Sequence, residues 1–371
     1  MFLFGLIIRP DKISIIKKEV IPLKKQRIAI LFGGRSAEYP ISLQSASAVL
    51  QHLDAGRSDI YPIGITREGK WYHYTGPFEK IADDSWHEDR HFLFPVAILP
   101  VPSPKGVLEF KNGKARLTPL DLVFPILHGQ NGEDGRIQGM FELADIPLVG
   151  CGTLASAICM DKDRSHKLVR ASGILVPEAV TFHRQETEAA LAEICSRLAF
   201  PVFVKPLRSG SSFGITKVTE QQKLPSAVEQ AFFYDEEVIV EEAIDGFEVG
   251  CAILGIHELT VGRVDEIQLS GDFFDYTEKY TLKTSRIHMP ARIDTETEKR
   301  IQDTAASIYR TLGCSGFARV DMFLRPDGKI IFNEVNTIPG MTAHSRYPNM
   351  MKGIGLSFEA MLDKLIRLYI K

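Results

Sequence analysis

Phe317-Ala318-Arg319-Val320-Asp321-Met322-Phe323 and Lys329-Ile330-Ile331-Phe332-Asn333-Glu334-Val335-Asn336 both alternate with a period of two, and Pro326-Asp327-Gly328 lies between them. Alternating apolar runs around a Pro-Asp-Gly turn read as a β-hairpin. With Asp327-Gly328 as a two-residue loop, Asp321 falls opposite Glu334 and Arg319 opposite Asn336. All four side chains then share one face. Two directly opposed carboxylates, with Cβ atoms roughly 5 Å apart, repel unless a cation lies between them. Magnesium meets that need, because it takes hard oxygen ligands, often one or two carboxylates plus substrate phosphates. The competing interpretation is a solvated sheet face carrying unrelated charges, and a bulge would shift the register.

Upstream, Phe200-Pro201-Val202-Phe203-Val204-Lys205-Pro206 is a strand that delivers a lysine, and Arg208-Ser209-Gly210-Ser211-Ser212-Phe213-Gly214 follows at once. Small residues let backbone N–H groups approach an anion, and hydroxyls add donors. The spacing is neither the Walker loop nor the dinucleotide fingerprint, and such a segment alone is equally a plain turn. Asp275-Tyr276-Thr277-Glu278-Lys279-Tyr280 is dense in aromatics and charges and reads as a surface loop or as a lid over a site. His128 and His344 sit in Gly- or Ser-rich turns, where a lone histidine carries no assignment by itself.

Strands are expected at 27–32, 59–66, 70–74 and 121–127, with a helix over 41–53 and a loop-rich stretch over 80–118. This alternation predicts an α/β domain with a mostly parallel sheet. A second block carries helices at about 153–172 and 186–197 and strands at 178–183, 200–205, 215–219 and 237–241. A third has strands at 247–254 and 259–268, a helix from Thr295 to Leu312 capped by Asp294 and stopped by Gly313, the hairpin, and a last helix at about 356–369. The expected division is an N-terminal extension over 1–26, an α/β substrate domain over 27–150, a central subdomain over 151–241 and a C-terminal subdomain with the metal site over 242–371. Residues 1–26 read as an addition outside the core fold, as from an upstream start codon, with an amphipathic membrane arm as the alternative.

The 371 residues hold 44 Lys plus Arg against 47 Asp plus Glu, a net charge of −3. No global basic field draws nucleic acid. Apolar residues make up 44%, enough for a large core without staples. The five cysteines are odd in number and show no C-x-x-C spacing, which argues against a zinc ribbon or a secreted disulfide framework and favours buried, reduced thiols in the cytoplasm. No segment reaches the length of a transmembrane span.

Taken together the motifs resemble the D-alanine–D-alanine ligase family of ATP-grasp enzymes, over about Lys25 to Lys371. The resemblance rests on Phe32-Gly33-Gly34-Arg35-Ser36-Ala37-Glu38, His128-Gly129 through Glu133-Asp134-Gly135, Met160-Asp161-Lys162, Lys205-Pro206, Gly210 to Gly214, Glu278-Lys279-Tyr280, and Glu334-Val335-Asn336 through Pro339-Gly340-Met341-Thr342. Within the family, Phe273 to Tyr280 and His344-Ser345-Arg346-Tyr347-Pro348 look most like the VanG-type D-alanine–D-serine ligases of vancomycin resistance. Housekeeping members usually have an apolar residue where Arg346 stands, and many have a lysine near the adenine where Glu242 stands.

The resemblance implies a three-domain α/β (α+β) ATP-grasp fold and a set of roles. Lys162 and Lys205 would hold ATP phosphates, Glu248 the ribose, and Glu241 would also lie in the nucleotide site. The 209–214 loop would cover the phosphates, with Ser212 or its neighbour Ser211 near the first substrate and Ser211 also among the nucleotide-binding residues. Asp321, Glu334 and Asn336 would bind two Mg2+ ions, with Mn2+ as a substitute. Glu38 would hold the ammonium of the first D-alanine, and Arg319 and the Gly340 backbone would stabilise the oxyanion. Ser345 would hold the carboxylate of the second amino acid, with His128 and Arg346 also at substrate, and Lys279 and Tyr280 would close the lid. The implied reaction ligates D-alanine to D-serine through D-alanyl phosphate, for a modified peptidoglycan precursor. The implied setting is a cytoplasmic homodimer without nucleic-acid or membrane partners. A housekeeping D-alanine–D-alanine ligase, an ATP-grasp ligase for other carboxylates and amines, and a non-catalytic nucleotide-binding module are the alternatives.

Overall fold

The computed structural model describes residues 25–210, 213–269 and 285–370, and among them three sheets form, each with its own apolar core. The first has the order β6-β5-β4-β3-β2-β1-β7, with β1 Gln26–Gly33, β2 Ser58–Ile65, β3 Trp71–Tyr74, β4 Leu93–Ile98, β5 Val107–Lys111, β6 Lys114–Thr118 and β7 Leu122–Pro125. Only β2, β1 and β7 are mutually parallel. From β2 to β6 the pairs are antiparallel, so the sheet is mixed rather than mostly parallel. The excess strands come from the 80–118 stretch expected to be loop-rich. Its prolines at 95, 100, 102 and 104 obscured a meander whose outer strands are half-exposed and therefore weakly apolar.

Because β2 and β7 flank β1, a crevice opens at the carboxyl ends of β1 and β7, the usual ligand position in an open α/β sheet. Gly33 ends β1 with φ +85°, and a Cβ there would lie 2.2 Å from the Ile65 carbonyl oxygen. Only glycine makes that turn, and it delivers Glu38 to the start of the helix Tyr39–His52.

The second sheet has the order β10-β9-β11-β8, from β8 Ala179–His183, β9 Val202–Pro206, β10 Thr216–Val218 and β11 Glu237–Glu242. Before it, the expected single helix over 153–172 is two: Thr153–Met160 and Lys162–Ala171. Asp161 breaks the run by taking extended backbone and accepting the Arg164 N–H at 2.9 Å, an N-cap that competes with helix continuation. Lys162 thereby opens a helix of its own.

The third sheet, β14-β13-β12-β15-β16, is antiparallel throughout, from β12 Phe247–Gly255, β13 Leu259–Leu269, β14 Ser285–His288, β15 Gly316–Leu324 and β16 Ile330–Asn336. One face carries Val320, Met322, Phe332 and Val335 onto the helix Thr295–Thr311, whose Ile301, Ala305 and Ile308 are fully buried. Asp294 caps that helix and Gly313 ends it with φ +68°.

The decisive hairpin pairs Asp321 with Glu334 and Arg319 with Asn336, as expected, but by another route. Its loop has three residues, closed by Arg325 and Lys329, with Gly328 at φ +78°. Near the loop Met322 therefore pairs with Phe332. A bulge at Asn333 then inserts one residue and restores the expected opposition at Asp321. No helix among the described residues is long and apolar enough to cross a membrane.

Candidate active site

At one level of the third sheet, Asp265, Gly250, Asp321 and Glu334 stand side by side on β13, β12, β15 and β16. Asp265 and Asp321 are buried. Arg319 grips Asp321 with Nε and Nη2, each 2.8 Å from a carboxylate oxygen, and Asn336 Nδ2 adds a bond of 2.9 Å. Burial alone would lower the Arg319 pKa, but Asp321 outweighs it and raises it.

Arg346 opens the helix Arg346–Lys352 and reaches back into this row. Its Nε and Nη2 each lie 2.8 Å from Asp265, Nη1 lies 2.8 Å from Glu248, and Nη2 lies 3.4 Å from Asp321. The residue is 9% exposed, so it is a buried hub rather than a surface arginine. Gly250 makes its room, because a Cβ there would fall 2.3 Å from Nη2. Four carboxylates (Asp265, Asp321, Glu334 and Glu248) face two guanidiniums (Arg319 and Arg346), a net charge of −2 on this side of the sheet.

Across from the row lies a cleft of about 780 Å³, lined by Lys162, Lys205, Glu241, Glu248, Phe323 and Glu334 among others. Lys205 Nζ donates to Glu241 Oε2 at 2.6 Å, and Lys162 Nζ to the Ser209 carbonyl at 2.8 Å. Burial pushes the Glu241 carboxyl up, but Lys205 overrides it and holds it below the ordinary value. The cleft thus sets two lysines against a carboxylate-rich wall, an arrangement suited to a polyphosphate with a divalent cation. Among the described residues no three or more His, Cys, Asp or Glu group as a protein-only metal site. Two carboxylates and an amide fit magnesium when phosphate oxygens complete the shell.

The crevice of the first sheet meets this cleft. A Cβ on Gly129 would lie 2.2 Å from Glu38 Oε2, and one on Gly210 would lie 3.1 Å from it, so three segments converge on the Glu38 carboxylate. Below it, three side chains hold the 337–341 loop. Glu133 accepts from Gly129 N–H at 2.8 Å and from Ile338 N–H at 2.9 Å. His128 Nδ1 donates to the Ile338 carbonyl at 2.8 Å, and Ser45 Oγ accepts Met341 N–H at 3.2 Å while lying 3.1 Å from His128 Nε2. Both His128 nitrogens therefore meet protein groups, and its position is that of an anchor for the segment carrying Gly340. Burial lowers its pKa to about 4. Burial and the neighbouring Glu38 push Glu133 up to about 8. Ser345 Oγ bonds the Thr342 N–H at 3.0 Å, and a Cβ on Gly340 would sit 2.9 Å from that oxygen, so Ser345 and Gly340 are adjacent.

Ser211, Ser212, Lys279 and Tyr280 lie outside the described residues. The sequence reading brought Glu38, Lys162, Lys205, Glu241, Glu248, Arg319, Asp321, Glu334, Asn336, Gly340, Ser345 and Arg346 to one continuous region. It missed Ser45 and Asp265, which carry no local motif, and gave Glu133 no role of its own.

Family descriptions for the N-terminal and C-terminal parts of D-Ala–D-Ala ligases match residues 27–151 and 168–367. The chain belongs to the D-alanine–D-alanine ligase family. Members of this family are ATP-dependent ligases, and the three-sheet α/β architecture agrees with their solved structures. A D-alanine–D-alanine ligase of Caldicellulosiruptor bescii is 42% identical, over 94% of this chain and 96% of its own. The vancomycin C-type resistance protein VanC1 of Enterococcus gallinarum is 42% identical, over 92% of this chain and 98% of its own. The crystal structure of the VanG D-Ala:D-Ser ligase from Enterococcus faecalis superposes with a TM-score of 0.88 at 64% identity, covering 94% of this chain and all of that one.

Proposed function

We propose that this ligase joins D-alanine to D-serine, making a dipeptide amide at the expense of ATP. The observation that carries the D-serine assignment is Arg346, the residue after Ser345, buried and held in place by Asp265 and Glu248. A guanidinium fixed by carboxylates is already ordered when a hydroxyl arrives, and a pocket built to hydrogen-bond a hydroxyl rejects the analogue lacking it. Similarity to the VanG enzyme supports the same reading.

A carboxylate is a poor electrophile, so the D-alanine carboxylate is first converted to an acyl phosphate. Glu38 holds the D-alanine ammonium, Lys162 and Lys205 hold the phosphates, and Glu241 and Glu248 hold the nucleoside. Arg319 and the Gly340 N–H face the oxyanion that forms when the second amine attacks. Asp321, Glu334 and Asn336 would hold two Mg2+ ions, or Mn2+ in their place, and the metal neutralises phosphate charge when bound. Ser345 takes the second carboxylate. Lys279 and Tyr280 would close a lid against water, which would hydrolyse the acyl phosphate, and Ser211 and Ser212 would lie at the phosphates and the first substrate. Family kinship further supports a cytoplasmic homodimer that supplies a modified peptidoglycan precursor.

The second reading places D-alanine in both sites. The 42% identity to a D-alanine–D-alanine ligase over 94% of this chain favours it. Product analysis with D-alanine and competing D-serine and D-lactate separates the readings. D-alanyl-D-serine as the dominant product supports the first, and D-alanyl-D-alanine as the dominant product refutes it.

A further inference from the structure

Two buried polar atoms beneath the nucleotide cleft face each other without hydrogen-bond partners among the described residues. They are His166 Nδ1 and Glu241 Oε1, 3.9 Å apart, on side chains more than nine-tenths buried. The other ring nitrogen, Nε2, lies 2.8 Å from the carbonyl oxygen of Asn333. A carbonyl only accepts, so Nε2 carries the hydrogen. The ring also meets Phe332 edge-on, with centroids 5.5 Å apart.

Asn333 is the bulge residue of β16, and β16 is the edge of its sheet. A carbonyl on the outer side of an edge strand has no neighbouring strand to satisfy it. Here the outer side is tied to the 162–176 segment instead. Phe332 N–H donates to the Leu175 carbonyl at 2.8 Å, and His166 donates to Asn333. Without the bulge, the register set at the loop would run on and place Asn333 opposite Asp321. Glu334 would then turn to the face packed on the helix, because a one-residue slip reverses every side chain.

We propose that His166 is a positioning residue for the metal carboxylate: its Nε2–H bond to Asn333 fixes the bulge that turns Glu334 toward Asp321. His166 lies four residues after Lys162, one turn along the same helix face. That helix therefore sets the phosphate lysine and the metal carboxylate relative to each other. The inference rests on the reading that Asp321 and Glu334 hold magnesium.

The test is calorimetric titration of ADP with and without Mg2+, on wild type, His166→Leu, His166→Gln and Glu334→Gln. Leucine fills the space without a donor, whereas the glutamine amide places a donor near the Nε2 position. In His166→Leu the magnesium-dependent gain in ADP affinity falls by about 10- to 100-fold, as for other groups that orient a metal ligand. Metal-free ADP affinity stays within about twofold, and His166→Gln recovers most of the gain. A wild-type gain in His166→Leu, with the gain lost in Glu334→Gln, overturns the inference and leaves the metal assignment standing. Retention of the gain in Glu334→Gln overturns both. If His166→Leu does not fold, His166→Asn takes its place, since its shorter amide falls short of Asn333. Equal gains in the Asn and Gln variants then refute the proposal.

Discussion

Gly250→Ala is the sharpest perturbation of the carboxylate row. The added Cβ would fall 2.3 Å from Arg346 Nη2, 2.8 Å from Asp265 Oδ1 and 2.9 Å from Asp321 Oδ1. Ordinary contact needs about 3.5 Å, so the guanidinium must retreat by roughly 1 Å. That retreat breaks bonds now at 2.8 Å to Asp265 and Glu248. Overpacking alone costs about 1–3 kcal/mol. Leaving Asp265, which is fully buried, without its partner brings the loss toward the roughly 3–5 kcal/mol of a broken buried ion pair. The expected loss is about 3 kcal/mol or more, and kcat/KM for the second substrate falls with it. Urea unfolding should be followed by far-UV circular dichroism, because both tryptophans, Trp71 and Trp86, lie in the first-sheet region and would report that region alone. Arg346→Leu removes the clashing group, so the double variant should lose much less than the two single losses added together. A Gly250→Ala protein within about 0.5 kcal/mol of wild type, with unchanged second-substrate kinetics, would refute this account of the row.

Glu334→Gln should abolish turnover while leaving the thermal transition in place. Near-normal activity at limiting magnesium would show that this carboxylate does not hold the metal. D-lactate, which would attack through a hydroxyl rather than an amine, should be a poor second substrate at neutral pH; efficient D-alanyl-D-lactate synthesis would contradict the amide assignment. His128 has its pKa lowered from 6.5 to about 4 in the folded protein, so the unfolded chain binds the extra proton between those values. Its contribution is present above pH 6.5 and is lost as pH falls toward 4. Wild-type Tm should therefore drop more steeply than that of His128→Gln across this window, and parallel Tm profiles would rule the linkage out.

Much of the fold was legible because periodicity and punctuation agreed. The Asp294 cap and the Gly313 stop bounded one helix, and buried β1 ran into Gly33-Gly34. The 80–118 meander was missed because its strands are short and half-exposed and prolines interrupt the first of them and the connection after it, so neither alternation nor apolar run stands out. The hairpin is more instructive. The two-residue loop was wrong by one residue, and the Asn333 bulge cancelled the error, so the opposition of Asp321 and Glu334 held for a reason the sequence does not display. At the site, motifs flagged the residues that end strands or open helices, such as Glu38, Lys162 and Lys205. Asp265 and Ser45 escaped because their importance lies in partners 81 and 296 residues away. A buried counter-ion has no local signature. Arg346 was recognised, but its burial among three carboxylates follows only from the sheet register and the gap left by Gly250.

The choice of second substrate tests the account most directly. The measurement is kcat/KM for D-serine and for D-alanine as the attacking amine, with D-alanine saturating the first site, in wild type and in Arg346→Leu. The account predicts that wild type favours D-serine and that Arg346→Leu loses much of that preference. A wild-type ratio favouring D-alanine would contradict it and leave a housekeeping D-alanine–D-alanine ligase.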